Sequence, residues 1–371
     1  MGYALSEEQR DLRDTVRRFC EDKSPMTEVR RLMETPEGFD EAVWEQMAGE
    51  LGLQGVAIPE QCGGHGLGFV EQGLVMAELG RALFCAPYFS SAVLAAGTLR
   101  HVASDTERNE LLPGIAGGVR ATLALSEPDA GGSLEHVALR AVPDGEGFRL
   151  SGIKSPVIDG ASAEHLAVVA RVPDGGLGLF WVEADSDGLE RALLQSLDRT
   201  RKQARLEFRD TPARALGEPG QAQAPLERAL DEAAVALACE MVGGCEMALE
   251  TAVAYAKGRV QFGRPIGSFQ AIKHKCADMW IELEAARSAA RFAAAALDEG
   301  AAEAGELACV AKARAAEAFV SVATENIQIH GGVGFTWEYD AHLFYRRAKT
   351  CDILLGDASV WRERLIRRLA G

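Results

Sequence analysis

From residue 226 onward the chain carries four long apolar-periodic patterns, at roughly 226–257, 269–298, 303–329 and 341–369, most of them rich in alanine. Uninterrupted segments of that length predict helices, and four in succession predict a four-helix bundle. The first two are separated by RVQFGRPIGSFQ, Arg259 to Gln270, where Gly263, Pro265 and Gly267 mark a helix-loop-helix corner. Arg259 stands at a helix end, where a cation suits the macrodipole. The same place lets it reach an anion. A second glycine-rich stretch, QIHGGVGF from Gln328 to Phe335, points to a phosphate-bearing ligand.

Upstream the pattern changes twice. Residues from Ser6 to about Gly114 read as helical, with apolar stripes at Leu12, Val16 and Phe19, from Val43 to Leu51, and from Phe69 to Leu83. Ser6 and Gln9 form a capping box that opens the first helix. The glycine-rich AIPEQCGGHGLG, residues 57 to 68, lacks the strand and spacing of a dinucleotide fingerprint. Short apolar runs then appear at Ala121 to Leu125, Phe148 to Ile153, His165 to Val172, Leu177 to Glu183 and Gln203 to Phe208. Turn-rich PDGEG and PDGG, starting at 143 and 173, separate some of them. The expected class is α+β: an N-terminal helical domain, 1–116; a small central β domain, barrel- or sandwich-like, 117–212; and a C-terminal four-helix bundle, 213–371.

The 371 residues carry 39 Lys and Arg against 55 Asp and Glu, a formal net charge of -16. That balance argues against nucleic acid or anionic membrane as the main partner, yet leaves room for an anionic small molecule held by a local arginine cluster. None of the eight cysteines falls in a C-x-x-C pair, so neither disulfides nor a metal is expected. No apolar run reaches the ~20 residues of a membrane span, and no signal-peptide core is evident. The expected location is cytoplasmic. Met1 to Ser6 fits the myristoylation pattern formally; the capping box is the preferred reading of that segment.

The motifs carry a resemblance. IPEQCGGHGLG, SEPDAG at 126 to 131, RVQFGRPIGSFQAIKHKCADM and QIHGGVGFTWEYDAHLFYRRAK together resemble the acyl-CoA dehydrogenase family along nearly the whole chain. The wording is closest to members that handle bulky or unusual acyl chains. The resemblance implies that fold, a bound FAD, an acyl-CoA substrate and an electron-transfer flavoprotein as electron acceptor. It implies that Arg259 and Phe262 reach the pyrophosphate and flavin of a neighbouring subunit, with Gln270 close behind. Gln328, Gly331 and Gly332 take positions where another subunit's backbone approaches the adenosine diphosphate, and a Cβ there would hold the backbone away. Leu125 and Ser126 match strand-end flavin contacts, Ser126 replacing the commoner threonine. A flavin site shared between subunits makes a homodimer the minimum and a homotetramer the usual form.

The family reaction removes an α-proton from an acyl thioester while the β-hydrogen leaves as hydride to the flavin, so a base is required. Here the chain departs from the pattern. The usual catalytic glutamate position falls at Leu355, followed by Gly356 and Asp357, and the alternative position used by branched-chain members falls at Ala233. Three carboxylates remain nearby. Glu240 lies two helical turns after Ala233, on nearly the same face, beside the small residues Ala236, Gly243 and Gly244. Its other reading is a solvated glutamate, or one paired with a charge inside the bundle. Asp357 is shorter and needs backbone adjustment; Glu232 points about 100° around the helix from Ala233. In KSPVIDGA, 154 to 161, Pro156 and Ile158 replace a tryptophan and a threonine that lie near the flavin in the family, which alters flavin tuning more than flavin binding.

Three functions follow. The first is an FAD-dependent acyl-CoA dehydrogenase using Glu240 or Asp357 as base. The second is a non-catalytic FAD-binding subunit in a heteromer with a related chain. The third is a different reaction on the same scaffold, an elimination or desulfination of an acyl-CoA.

Overall fold

The computed structural model describes residues 5–128, 132–173 and 175–370. The Met1 to Ala4 part of the myristoylation pattern, Asp129 to Gly131 of SEPDAG, and Asp174 of the second turn lie outside the described residues. In chain order the helices are α1 (Glu7–Lys23), α2 (Met26–Leu32), α3 (Glu41–Gly49), α4 (Phe69–Arg81), α5 (Ala96–Val102), α6 (Asp105–Ala116), α7 (Gln223–Gly258), α8 (Gln270–Asp298), α9 (Ala304–His330), α10 (Ala341–Ile353) and α11 (Ala358–Ala370). The strands are β1 (Ala121–Ala124), β2 (Arg140–Asp144), β3 (Gly147–Ile158), β4 (His165–Arg171), β5 (Leu177–Glu183), β6 (Leu189–Leu193), β7 (Gln203–Leu216), β8 (Val260–Gln261) and β9 (Arg264–Pro265). The class is α+β, with helices on either side of a central β segment in the chain. No helix among the described residues is long and apolar enough to cross a membrane.

The chain forms two compact units. The first comprises Met1–Arg30, Phe69–Phe84 and Ala234–Gly371. It opens on α1, whose capping box is complete: Ser6 Oγ accepts the Gln9 N–H and Gln9 Oε1 accepts the Ser6 N–H. The N-terminus of α4 is capped from α8, where Asp298 accepts the N–H groups of Phe69 and Val70 at 2.6 and 3.0 Å. Helices α4 and α7 approach at backbone distance. A Cβ on Gly243 would collide with the Ala77 carbonyl, one on Gly80 with the Glu240 carbonyl, and one on Gly73 would lie 2.8 Å from Cys239 Sγ. Small residues at three successive crossings let the two backbones touch.

The pattern at 341–369 is two helices rather than one. The break covers Leu354 to Asp357, where Leu355 and Gly356 have φ of 60° and 100°. A left-handed glycine ends a helix, and Asp357 Oδ1 accepts the Val360 N–H at 2.9 Å to start the next. Lys312, fully buried on α9, donates to the carbonyls of Asp352 and Gly356, both at 3.0 Å. Trp361 Nε1 donates to the Leu355 carbonyl at 3.1 Å.

The second unit comprises Arg31–Gly68 and Cys85–Ala233. Its sheet closes on itself: β4 pairs β5, β5 pairs β7, β7 pairs β3, β3 pairs β2, and β2 returns to β4 through Arg140 and Arg171. Leu150, Val168, Phe180, Leu206 and Phe208 fill its interior. β1 lies parallel to β4, and β6 adds an outer strand to β7. β7 runs well past the expected Phe208, turning at Asp210 (φ 51°) to leave β6 and meet β5. β2 and β6 were not expected from the pattern because their side chains are mostly exposed, so no apolar run marks them.

Candidate active site

At the corner after α7, β8 and β9 make a hairpin whose central residues, Phe262 and Gly263, both have positive φ (53° and 76°). Such a pair is the two-residue hairpin turn, and only glycine enters it without strain. Phe262 adopts it and is 92% exposed. Its ring meets Phe269 edge-on at 6.2 Å, and the Arg264 guanidinium lies 4.1 Å from the centroid of that same ring. The Arg259 backbone is tied on both sides: its N–H donates to Tyr255 and its carbonyl accepts from Ile266, both at 2.8 Å. Its side chain is exposed, as is Gln270 at the start of α8.

The glycine stretch terminates α9. Gly331 has φ 67°, and neither Gly331 nor Gly332 has any atom within 4 Å of where a Cβ would stand. Among the described residues nothing crowds these two glycines; their backbone is open, with Gln328 exposed one turn earlier. The two motifs adjoin, because Tyr255 of α7 stacks on His330 of α9 with centroids 4.1 Å apart. Burial holds the His330 imidazole below its ordinary pKa, against the Asn326 carbonyl that accepts from Nδ1. A neutral ring suits a stack on tyrosine. An exposed arginine, an exposed aromatic ring and an open glycine backbone are the groups that fit a dinucleotide's pyrophosphate and ring.

In the second unit the end of β1 is fixed from beneath. Ser126 accepts the Ser155 N–H at 2.7 Å through its carbonyl, and its hydroxyl has no hydrogen bond among the described residues. Lys154 is 0% exposed and donates from Nζ to the Leu125 carbonyl at 3.0 Å and to Glu127 Oε1 at 2.6 Å. Desolvation pulls Lys154 down to about 8, with Glu127 opposing. Burial pushes Glu127 up, yet Lys154 and the N–H groups of Leu139 and Ala138 bring it below the ordinary carboxylate value. Ser91 Oγ both donates to the Ala121 carbonyl and accepts the Ala121 N–H, and Thr122 donates to the Ile158 carbonyl. Pro156 is exposed and Ile158 buried. Leu125 and Ser126 thus sit on a strand end that a buried ion pair and two hydroxyls hold in place.

The carboxylates considered as bases are all engaged. Glu240 Oε1 accepts from Arg347 Nη1 at 2.7 Å, both residues being 2% exposed, so it is the charge paired inside the bundle that the sequence left as its other reading. A guanidinium at that distance occupies the carboxylate. Asp357 is exposed and caps α11. Glu232 is gripped by Arg100 at 2.6 Å and His101 at 2.7 Å. Leu355 packs with Trp361, and Ala233 is buried. Glu127, Lys154 and Arg347 fall inside stretches quoted above and Lys312 in none of them, yet nothing in those stretches says what the four side chains face. Their partners lie 107, 27 and 40 or more residues away, a separation that sequence spacing does not reveal.

Two family descriptions match the chain: "Acyl-CoA dehydrogenase, N-terminal domain" over residues 6–119 and "Acyl-CoA dehydrogenase, C-terminal domain" over 224–370. The chain is 32% identical over 342 residues to acyl-CoA dehydrogenase IpdE2 of Mycobacterium tuberculosis, covering 92% of this chain and 91% of that one. Among solved structures it is similar to a variant of the Tcur3481-Tcur3483 steroid ACAD, with 37% identity, TM-score 0.90 and 99% of each chain covered. It is also similar to the ChsE4-ChsE5 complex from Mycobacterium tuberculosis, with 29% identity, TM-score 0.90, and 100% and 99% coverage.

Proposed function

The chain belongs to the acyl-CoA dehydrogenase family, and we propose that it acts there as the flavin-binding subunit of a heteromeric enzyme that dehydrogenates an acyl-CoA at its α,β bond. A second, related chain supplies the base. The observation that carries this reading is the engagement of Glu240, Asp357 and Glu232 by Arg347, the α11 backbone, and Arg100 with His101. It is supported by similarity to two structures each named for a pair of chains. The name of one of them supports an acyl group on a steroid or a comparably bulky ring system.

A bound FAD would supply the hydride acceptor for the β-hydrogen; an electron-transfer flavoprotein is the acceptor we assign downstream. This chain's residues hold the cofactor. Arg259 would bind the pyrophosphate of a neighbouring subunit's FAD through its planar fork, Phe262 would cover that flavin, and Gln270 would hydrogen-bond beside them. Gln328, Gly331 and Gly332 would bind the adenosine diphosphate end of another subunit's FAD through open backbone and one amide. Leu125 and Ser126 would meet a flavin ring edge, Ser126 with its unbonded hydroxyl. The removal of the α-proton falls to the partner chain.

The test is an anaerobic titration of the flavin-loaded protein with a steroid side-chain acyl-CoA, alone and after co-expression with a related chain. Bleaching only in the two-chain protein, with enoyl thioester formed, is the expected result. Full bleaching by this chain alone would overturn the heteromeric reading and return Glu240 or Asp357 to consideration as base.

A further inference from the structure

A cavity of about 320 Å³ lies between α1, α4, α7 and α8, wholly inside the first unit. None of the residues assigned to flavin or base lines it. Contacts between the surrounding helices set its polarity. Asp298 of α8 caps α4 at Phe69 and Val70, and Gln9 of α1 donates to Glu71 at 2.8 Å. Farther along, Arg17 grips Glu78 with two bonds of 2.8 Å, and Arg287 Nη2 lies 3.0 Å from Glu246 Oε1. One end is therefore apolar, walled by Leu5, Val70, Ala294 and Ala295. The middle is Gly73, Cys239 and Val242, and the other end is charged. Cys239 behaves as an apolar wall, since burial pushes its thiol up to about 12.

Arginine dominates the charged part of the lining. Four arginines, 13, 17, 287 and 291, line the cavity against two glutamates, 78 and 246. Arg17 and Arg287 are paired with those glutamates. Arg13 bonds only its neighbour Asp14, which is not in the lining, and Arg291 has no ion pair or hydrogen bond among the described residues. Both stand one helical turn inward from the paired arginines. Desolvation and the charge of Arg287 hold Arg291 below its ordinary pKa. An anion beside it would relieve that repulsion. In a chain of net charge -16, a guanidinium without an ion pair among the described residues, with a second one beside it over an apolar slot, is a specific feature.

We propose that this cavity binds a medium-length aliphatic carboxylate, its head between Arg291 and Arg13 and its tail directed toward Val70, Ala294 and Ala295. From Arg291 to Ala295 the wall of α8 extends about 6 Å at 1.5 Å per residue, which takes the outer carbons of a medium-chain acid whose head lies out at the guanidinium groups. A bare phosphate would leave the apolar end unused, and a neutral lipid would leave the guanidinium groups without an anion. The inference stands on the cavity alone and does not depend on the heteromeric reading.

The test is calorimetric titration of the purified full chain with decanoate. Saturable binding is expected, with acetate and decanamide each far weaker because one lacks the tail and the other the charge. Arg291→Gln changes a solvent-accessible side chain that has no partner to lose. It should weaken decanoate roughly tenfold, the loss of one charge-assisted contact. Ala294→Phe should abolish binding by filling the tail end. Three results each overturn the proposal: no decanoate binding to the wild type, unchanged affinity in Arg291→Gln, or displacement of decanoate by saturating decanoyl-CoA, which would place it in the thioester site.

Discussion

Arg347 of α10 reaches across the bundle to Glu240 of α7 at 2.7 Å, with no more than 2% of either side chain exposed. Breaking such a pair strands a charge out of water, whereas replacing both partners with apolar groups does not. Arg347→Met should therefore lower unfolding free energy by about 3–5 kcal/mol. The double variant Glu240→Leu/Arg347→Met should recover most of that loss. Urea unfolding of the three proteins is the measurement, and a double variant no better than the single one would show that the pair is not the source.

Gly332 and Gly331 separate fold from cofactor. Both have open space where a Cβ would stand, and only Gly331 has positive φ. Gly332→Ala should leave thermal stability within about 0.5 kcal/mol of wild type, as for a surface substitution, while lowering FAD retention through gel filtration. Gly331→Ala should lower both, because alanine is strained at that φ. Equal FAD content in Gly332→Ala and wild type would count against a ligand at this backbone.

Arg259 and Phe262 are exposed at the corner, and the arginine head has no hydrogen bond or ion pair among the described residues. Arg259→Ala and Phe262→Ser should each reduce FAD retention and, if the cofactor is shared between subunits as we propose, the oligomeric fraction seen by analytical ultracentrifugation. The chain's own unfolding midpoint should hardly move.

Lys312 gives a pH signature. Burial pulls it down to about 8, against about 10.4 in an unfolded chain, so between those values the unfolded state binds the extra proton. Stability assigned to this residue should rise with pH across that window, by roughly 3 kcal/mol at the limit. The difference between wild-type and Lys312→Met unfolding free energies at pH 7.5 and 10 measures it. A difference that does not change with pH would mean that Lys312 titrates normally.

The helices, the first three long patterns of the C-terminal half, and the capping box at Ser6 were legible because each is written in neighbouring residues. The division at Leu354 to Asp357 was not, because an apolar period runs through it and the break depends on the φ of Leu355 and Gly356. β2 and β6 were hidden by exposure, and the end of β7 by its turn at Asp210. For the candidate site, the motifs located the corner and the open glycines, and family spacing flagged Leu355 and Ala233 as lacking a carboxylate. What Glu240 faces was not readable, since its partner belongs to a helix 107 residues away. Helical spacing places a side chain on a face; it does not say what stands opposite.

Gly73, Gly80 and Gly243 press α4 and α7 together, Gly80 and Gly243 against backbone carbonyls and Gly73 against the Cys239 thiol. Two walls of the arginine-lined cavity are thereby welded into one plate, and neither can swing without pulling the other. Descendants of this sequence that reshape the slot must do so through α1 and α8, where Arg13, Arg291 and the alanines of 290 to 295 can be exchanged without prising that plate apart.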